Sequence, residues 1–206
     1  MKNVVITIAR GYGSGGKTIG KMLAEELGIH FYDRELLRLA SDDSGIHERL
    51  FGEADEKIKK SLFMPGTKVY KGELFPPESD EFVSNDNLFN YQAKIIKELA
   101  NTHSCVIVGR CADYILKDMD NVARIFIYAP FKSCVHTVMD MYSMTSKEAE
   151  KVITSTDKHR ADYYKYYTGR EWLNAKNYDL ALNSADLGFE KCVDIIKGYL
   201  KVKFGE

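Results

Sequence analysis

A lysine and a threonine close a glycine-rich stretch near the start of the chain, and their spacing is suited to phosphate chemistry. Gly11, Gly16, Lys17 and Thr18 match the pattern G-x-x-x-x-G-K-[ST]. Glycines let backbone N–H groups curl around a phosphate, and a helix beginning at Lys17 adds the positive end of its dipole. The lysine can reach the β- and γ-phosphates, and the threonine hydroxyl can bind Mg²⁺. The predicted phosphate-binding residues are Gly11, Gly13, Ser14, Gly15, Gly16, Lys17 and Thr18.

The residues around this stretch favour a phosphate loop over a dinucleotide-binding turn. Three of its glycines also have the spacing G-x-G-x-x-G, but the lysine and threonine have no role in a dinucleotide fold. Residues 4–9 form a β-branched apolar run typical of a buried strand, and residues 19–27 carry apolar side chains at helical spacing. The strand, loop and helix therefore follow in the order that a P-loop requires.

Two further stretches place charged side chains just after apolar runs. Arg110 follows the run at residues 105–108, and an arginine there can grip a phosphate with two parallel hydrogen bonds. Asp113 could orient that arginine or accept from a substrate amine or hydroxyl; the alternative is a surface ion pair at a helix start. Asp33 ends a short second strand and could hold a Mg²⁺-bound water or the acceptor, or could instead cap the next helix.

Residues 151–170 combine several cations, acids and tyrosines in a polar helical pattern. Such a segment suits a mobile lid that closes over phosphates, although a charge run usually means only a solvated helix face. Lys158 and Arg160 are two residues apart and do not share a helical face, so we expect at most one of them to point at the phosphates. The predicted lid residues are Asp157, Lys158 and Arg160.

Apolar runs that alternate with helical patterns predict an α/β fold. Because such runs are buried on both sides, they indicate a parallel sheet with helices on both faces. Ligands then bind at the carboxyl ends of the strands, where the glycine loop, Asp33 and Arg110 fall. Residues 41–87 are irregular and polar, with a helix predicted at 53–64, and a connection this long is usually functional. The predicted strands are residues 4–9, 30–33, 105–108, 123–128 and 178–182.

Composition sets limits on the class of protein. The 206 residues carry a formal net charge of −1 and 45% hydrophobic residues, which indicates one domain with a large core and no nucleic-acid polymer as partner. We find no signal-peptide pattern and no apolar run near the ~20 residues of a membrane span, so we expect a cytoplasmic protein without a membrane partner. The four cysteines and five histidines are dispersed, which predicts no zinc site.

The chain also lacks two signatures of other phosphate-loop proteins. The third strand ends in Gly109-Arg110 rather than in the Walker-B aspartate of many ATPases and GTPases. No guanine-reading N-K-x-D sequence occurs. These differences favour a small-molecule kinase over a motor or a GTPase.

Four stretches together resemble the cytidylate kinase-like proteins of bacteria, which are related to nucleoside monophosphate kinases. They are ITIARGYGSGGKTIGKMLAEELGIHFYDRELL (6–37), VIVGRCADYIL (106–116), DKHRADYYKYYTG (157–169) and YDLALNSADLG (178–188). The resemblance implies a three-layer P-loop kinase fold with five parallel strands, ATP as donor and Mg²⁺ as cofactor. It divides one domain, residues 1–206, into a core (1–33, 101–130 and 176–206), an acceptor-binding insert (34–100) and a helical lid (140–172).

The resemblance also implies roles for individual residues. Residues 13–18 would bind the ATP phosphates, Arg110 and Asp113 would face the acceptor, and Arg160 would belong to the lid. In the hypothesis that follows, Lys17, Arg110 and a lid cation, Arg160 or Lys158, would be catalytic, and Thr18 would bind the metal. The leading hypothesis is ATP-dependent phosphoryl transfer to a nucleoside monophosphate, CMP or dCMP foremost. A kinase for another small hydroxyl or phosphate acceptor and a nucleotide-binding regulatory protein without turnover remain alternatives; small nucleotides are the expected partners, and formation of a homo-oligomer is left open. The acceptor side would comprise Asp33, Arg38, Arg110 and Asp113.

Overall fold

The computed structural model describes residues 3–57 and 69–205, and within them five strands form one sheet. Every neighbouring pair is parallel, and the order across the sheet is β2-β3-β1-β4-β5. This confirms the predicted five-stranded parallel sheet. The strands are β1 (Val5–Arg10), β2 (His30–Tyr32), β3 (Cys105–Val108), β4 (Val122–Tyr128) and β5 (Leu180–Asn183).

Helices cover both faces of the sheet. They are α1 (Gly16–Leu27), α2 (Glu35–Ser44), α3 (Glu48–Lys57), α4 (Asn85–Thr102), α5 (Ala112–Ile115), α6 (Phe131–Tyr142), α7 (Ser146–Thr168), α8 (Ser184–Leu187) and α9 (Phe189–Phe204), with a 3₁₀ turn at Ala175–Asn177. No helix among the described residues is long and apolar enough to cross a bilayer.

The central strand β1 divides the core because its side chains alternate between the two faces. Ile6 and Ile8 pack in one buried cluster with residues of α1 and α9. Val5 and Ala9 belong to a second cluster, on the opposite face, which contains residues of α2, α4 and α7. The predicted three-layer arrangement is therefore confirmed, and the carboxyl end of β1 lies between the two layers of helices.

Several element boundaries differ from the sequence prediction. The cap of α4 is Ser84, whose side chain accepts from the Asn87 N–H; the sequence alone also allows Asn85 or Asp86 in this role. Strand β5 begins at Leu180 rather than at residue 178, because Tyr178 is the cap of the preceding 3₁₀ turn. The helix predicted at 53–64 begins earlier, as α3, and residues 58–64 of that prediction lie outside the described residues.

The long helix α7 is held at both ends. Thr145 and Glu148 form a capping box at its start, as their T-x-x-E spacing in the sequence predicts. Ala149 and Ile153, in its first half, pack in a small cluster with residues of α6. In its second half the Tyr167 ring stacks on Phe89 of α4 with ring centroids 3.8 Å apart. The second half of the predicted lid is therefore part of the main core.

Candidate active site

The glycine loop between β1 and α1 has a backbone that only glycine suits at two positions. Gly13 and Gly15 have φ angles of +80° and +76°. A Cβ at Gly13 would lie 2.9 Å from the Cys134 carbonyl oxygen, and one at Gly15 would overlap the Phe189 ring. Helix α1 begins at Gly16, one residue before the predicted start. The loop therefore leads directly into a helix N-terminus, the arrangement that binds phosphate.

Two serine hydroxyls tie this loop to the neighbouring strand. The Ser14 hydroxyl lies 2.9 Å from the Gly11 carbonyl oxygen and 3.1 Å from that of Ile127, and it shares its proton between them. The Ser184 hydroxyl donates to the Ser14 carbonyl oxygen at 2.6 Å and lies 3.1 Å from that of Tyr128. The Ser14 side chain thus braces the loop, which leaves the backbone to contact a ligand.

Lys17 and Asp33 meet at the carboxyl edge of the sheet. The Lys17 ammonium lies 2.7 Å from the Asp33 carboxylate, and the side chains are 63% and 16% exposed respectively. The alternative role of Asp33 as a helix cap is wrong, because the residue at the cap position of α2 is Arg34 and no side-chain cap hydrogen bond forms. Asp33 is instead an acid placed beside the phosphate-loop lysine, with the lysine still accessible to a ligand.

A sharp turn after β3 places Arg110 in the same cleft. Gly109, Arg110 and Cys111 have φ angles of +78°, +58° and +53°, so two residues other than glycine adopt the left-handed conformation. Such a conformation costs free energy and is concentrated at functional sites. Arg110 is partly buried, and this burial lowers the pKa of its guanidinium. Removing a cation from water costs free energy, and an anionic ligand bound to Arg110 would offset that cost.

Asp113 is buried one turn later, at the start of α5. Its Oδ2 accepts a hydrogen bond from the Tyr164 hydroxyl at 2.6 Å, and the residue is 6% exposed. The alternative interpretation as a surface ion pair is therefore wrong. Burial raises the pKa of Asp113 to about 6, against the opposing effect of the tyrosine hydrogen bond. A carboxyl whose pKa is raised in this way is typical of a functional site.

The raised pKa of Asp113 predicts that the free energy of unfolding depends on pH. The native protein binds the Asp113 proton more tightly than the unfolded chain, so the free energy of unfolding falls as pH rises from about 4 to 6 and stays lower above that range. The Asn side chain in Asp113→Asn keeps an acceptor for Tyr164 but does not titrate. We expect this variant to gain about 2–4 kcal/mol relative to the wild type between pH 4 and pH 7. Urea unfolding measures both proteins, and identical pH profiles would contradict the buried acid.

One of the two predicted lid cations faces the phosphate loop. The Arg160 Nη1 donates to the Arg10 carbonyl oxygen and to Asp157 Oδ1, both at 3.0 Å. The Asp157 carboxylate in turn accepts from the Tyr12 N–H at 2.9 and 3.1 Å. Lys158 turns away to an exposed ion pair with Asp162. As the helical spacing predicts, Arg160 and Lys158 lie on different faces.

These contacts predict which part of α7 responds to ligands. Bound phosphates would give Arg160 a further anionic partner in addition to Asp157, and one such bond is worth about 1.5–3 kcal/mol. We therefore expect amide exchange at residues 150–160 to slow roughly tenfold or more when ATP and the acceptor are both present. Residues 163–168 should be protected with or without ligands, because Tyr164 and Tyr167 are buried. Hydrogen exchange measures both segments, and equal protection of residues 150–160 in the two states would show that the helix is not a lid.

A single cleft of about 550 Å³ brings five of the predicted site residues together, while the loop glycines and Thr18 are not among its lining residues. Arg38 is not among its lining residues; it lies exposed on α2 and pairs with Glu35 and Asp42. Sequence reasoning missed Arg10, although its position just before the first loop glycine was a signal, and it missed Arg34 and Tyr163. The lining includes the predicted residues Lys17, Asp33, Arg110, Asp113 and Arg160.

The residues beside the loop fit a magnesium ion held mainly by phosphates. Thr18 is exposed in the first turn of α1, and the Asp33 carboxylate lies beside the neighbouring Lys17. Within residues 3–57 and 69–205 no group of three or more His, Cys, Asp and Glu side chains could hold a metal. Mg²⁺ in kinases needs only one or two protein oxygens in addition to water and substrate phosphates.

Comparisons with known proteins agree with this arrangement. The sequence profile of a family described as the cytidylate kinase-like family matches residues 5–186. No curated protein sequence matches the chain. A crystal structure of an uncharacterized protein from Eubacterium ventriosum is similar over 97% of this chain and 99% of that one, with 25% identity and a TM-score of 0.71.

More distant solved structures share the fold. A shikimate kinase from Bacteroides thetaiotaomicron has 15% identity and a TM-score of 0.54, with 96% of this chain and 98% of that one covered. A gluconokinase from Sinorhizobium meliloti has 14% identity and a TM-score of 0.50, with 98% of each chain covered. At this level of identity the likeness concerns the P-loop kinase fold alone.

Proposed function

The chain belongs to the cytidylate kinase-like family and is a nucleoside monophosphate kinase-like phosphotransferase, and from this we propose that it transfers the γ-phosphoryl group of ATP to CMP or dCMP. The observation that carries the proposal is the convergence of Lys17, Arg110 and Arg160 on one cleft. Two anionic substrates repel each other, and their reaction is accelerated chiefly by fixed cations and by exclusion of water.

In this proposal the donor lies on the glycine loop. Backbone N–H groups of residues 13–18 bind the ATP phosphates, and Lys17 contacts the β- and γ-phosphates. Thr18 would hold Mg²⁺, which would neutralise part of the charge of the phosphates. Arg160 reaches the loop from α7, where its hydrogen bond to the Arg10 carbonyl already positions it.

The acceptor phosphate then lies beside Arg110. Its planar guanidinium suits a monophosphate, and its partial burial strengthens the attraction. An acceptor phosphate oxygen is already ionised at neutral pH, so no side chain needs to remove a proton. Arg110 and the glycine loop thereby hold the two reacting groups on opposite sides of the cleft.

The inner part of the cleft supports an amine-bearing base. The Asp113 carboxyl lines the cleft with one oxygen on Tyr164 and can accept from the exocyclic amine of cytosine through the other. Tyr163 and Trp172 also line the cleft, and aromatic rings stack on nucleobases. A uracil carbonyl at the same place would face the Asp113 carboxylate, so two hydrogen-bond acceptors would meet without a donor.

A kinase for a small hydroxyl acceptor is the second candidate, because of Asp33. A hydroxyl needs a general base, and the Asp33 carboxylate lies in the cleft next to Lys17. In this alternative Asp33 would take the hydroxyl proton while Lys17 stabilises the transferring group. The Asp33 carboxylate is already paired with the Lys17 ammonium at 2.7 Å, a contact that a hydroxyl acceptor would have to displace, which is why we prefer the phosphate acceptor.

A coupled assay of ADP release over a panel of acceptors tests the proposal. The panel contains CMP, dCMP, UMP, AMP and GMP, with shikimate and gluconate as hydroxyl acceptors. We expect kcat/KM for CMP or dCMP to exceed that for the other nucleotides at least ~10-fold. Preference for a hydroxyl acceptor, with loss of turnover in Asp33→Asn, would favour the second candidate. ATP binding without turnover of any acceptor would indicate a regulatory protein and overturn the proposal.

A further inference from the structure

Arg10, the last residue of β1, extends its side chain across the cleft toward the turn after β3. A Cβ at Gly109 would overlap the Arg10 guanidinium, so the guanidinium occupies the space that this glycine leaves. A Cβ at Gly16 would lie only 2.5 Å from the Arg10 Cβ. Arg10 is thus enclosed by the glycine loop on one side and by Gly109 on the other, the two places assigned to donor and acceptor.

The backbone of Arg10 is fixed by the predicted lid. Its carbonyl oxygen accepts from the Arg160 Nη1 at 3.0 Å. Its N–H and C=O groups also lie within the central strand, where Arg10 pairs with Ile127. Because both the backbone and the space around the side chain are restricted, the guanidinium has little freedom to turn toward solvent.

The Arg10 guanidinium has no ion-pair partner within 4.0 Å and no hydrogen bond among residues 3–57 and 69–205. Its surroundings include two further cations, Arg160 and Arg110, as well as the acids Asp33 and Asp157. Burial, followed by the repulsion of Arg160, lowers the pKa of Arg10 to about 9. A partly buried cation in this setting costs stability, so its retention calls for a ligand that offsets the cost.

From this geometry we infer that Arg10 is a catalytic cation that binds the phosphoryl group while it passes from donor to acceptor. The inference rests on the proposed function. In the step, an acceptor oxygen forms a bond to the γ-phosphorus, the bond from phosphorus to the β–γ bridging oxygen breaks, and its electron pair stays on ADP. Arg10 donates N–H groups to the non-bridging oxygens of the transferring group.

A purely structural role predicts different behaviour from a catalytic one. A structural arginine stabilises the ligand-free fold, so its removal would lower the melting temperature. A buried cation whose only partner is a bound phosphate destabilises the ligand-free fold. Arg10→Met should therefore leave the melting temperature unchanged or raise it by about 2–4 °C. Arg10→Lys keeps the positive charge but lacks the planar guanidinium. Its activity should therefore lie between that of Arg10→Met and that of the wild type.

The test uses ADP with aluminium fluoride and Mg²⁺, a combination that mimics a phosphoryl group in transit. We compare the wild type, Arg10→Met, Arg10→Lys and the control Arg49→Met, which removes an arginine that is 78% exposed on α3. We expect Arg10→Met to bind ADP alone within about threefold of the wild type and ADP–aluminium fluoride at least tenfold more weakly. Its kcat should fall ~100-fold, with a much smaller change in the KM for ATP. The control should match the wild type.

Equal affinity of the wild type and Arg10→Met for ADP–aluminium fluoride would overturn the inference, as would a lowered melting temperature with unchanged kcat. The binding measurement needs no acceptor, so it decides the role of Arg10 even if no nucleotide on the panel is phosphorylated. Absence of any phosphorylated acceptor would instead contradict the proposed function. A wild type that does not bind ADP would overturn both.

Discussion

Replacing Lys17 by alanine is expected to lower kcat by roughly 100- to 1000-fold while the protein stays folded. The loss of one preorganised cation at a transferring group usually has an effect of this size. Lys17 is 63% exposed, so its ion pair with Asp33 contributes little to stability. ATP should also bind more weakly, because the variant leaves the Asp33 carboxylate close to the phosphates without its partner.

A matched control for this variant is Lys21→Ala. Lys21 lies one turn further along α1, is 66% exposed and pairs with Glu25 rather than with a residue of the cleft. Coupled assays and thermal unfolding of both variants separate the effects. Unchanged turnover in a folded Lys17→Ala protein, or an equal loss in Lys21→Ala, would show that the glycine loop is not the donor site.

Replacing Arg110 by alanine is expected to weaken binding of the acceptor far more than binding of ATP. A hydrogen bond from arginine to phosphate is worth about 1.5–3 kcal/mol, so acceptor affinity should fall roughly 10- to 150-fold. ATP affinity should change little, because its phosphates lie on the glycine loop. The turn that presents Arg110 is already strained, and alanine can adopt it at no greater cost.

Calorimetric titration of each ligand separately decides this prediction, with Arg38→Ala as the comparison. Arg38 is an acceptor-binding candidate by sequence, but it lies outside the cleft lining and pairs with Glu35 and Asp42. We therefore expect its replacement to have little effect on either ligand. If ATP affinity falls as much as acceptor affinity in Arg110→Ala, the arginine belongs to the donor side. A larger effect of Arg38→Ala would move the acceptor toward α2.

The parts of the site that sequence reasoning could place depend on local patterns or on the edge of a parallel sheet. The glycine loop is local, because strand, glycines, lysine and helix lie within residues 4–27. Asp33 and Arg110 are distant in sequence, yet both follow strands whose carboxyl ends must share one edge. The structure places both in the lining of the predicted cleft.

The parts of the site that sequence reasoning could not place depend on side-chain direction and long-range packing. The position of Arg10 just before the loop glycines indicates that it lies near the site. Its contact with Gly109 depends on the positive φ and the missing Cβ of that residue, which is far away in the sequence. The tyrosines of α7 look like part of a polar face, but Tyr164 and Tyr167 are buried against other elements. Tyrosine is ambiguous in this way because its ring is apolar and its hydroxyl needs only one partner.

The most direct test of the account is phosphorus NMR of the wild-type protein with ATP, Mg²⁺ and CMP. This measurement follows the γ-phosphoryl group itself rather than the appearance of ADP alone. We predict that ADP and CDP form in equal amounts as ATP and CMP are consumed, and that Lys17→Ala shows neither product on the same time scale. Release of inorganic phosphate in place of CDP, or consumption of neither substrate, would contradict the assignment of the cleft as a site of phosphoryl transfer to CMP.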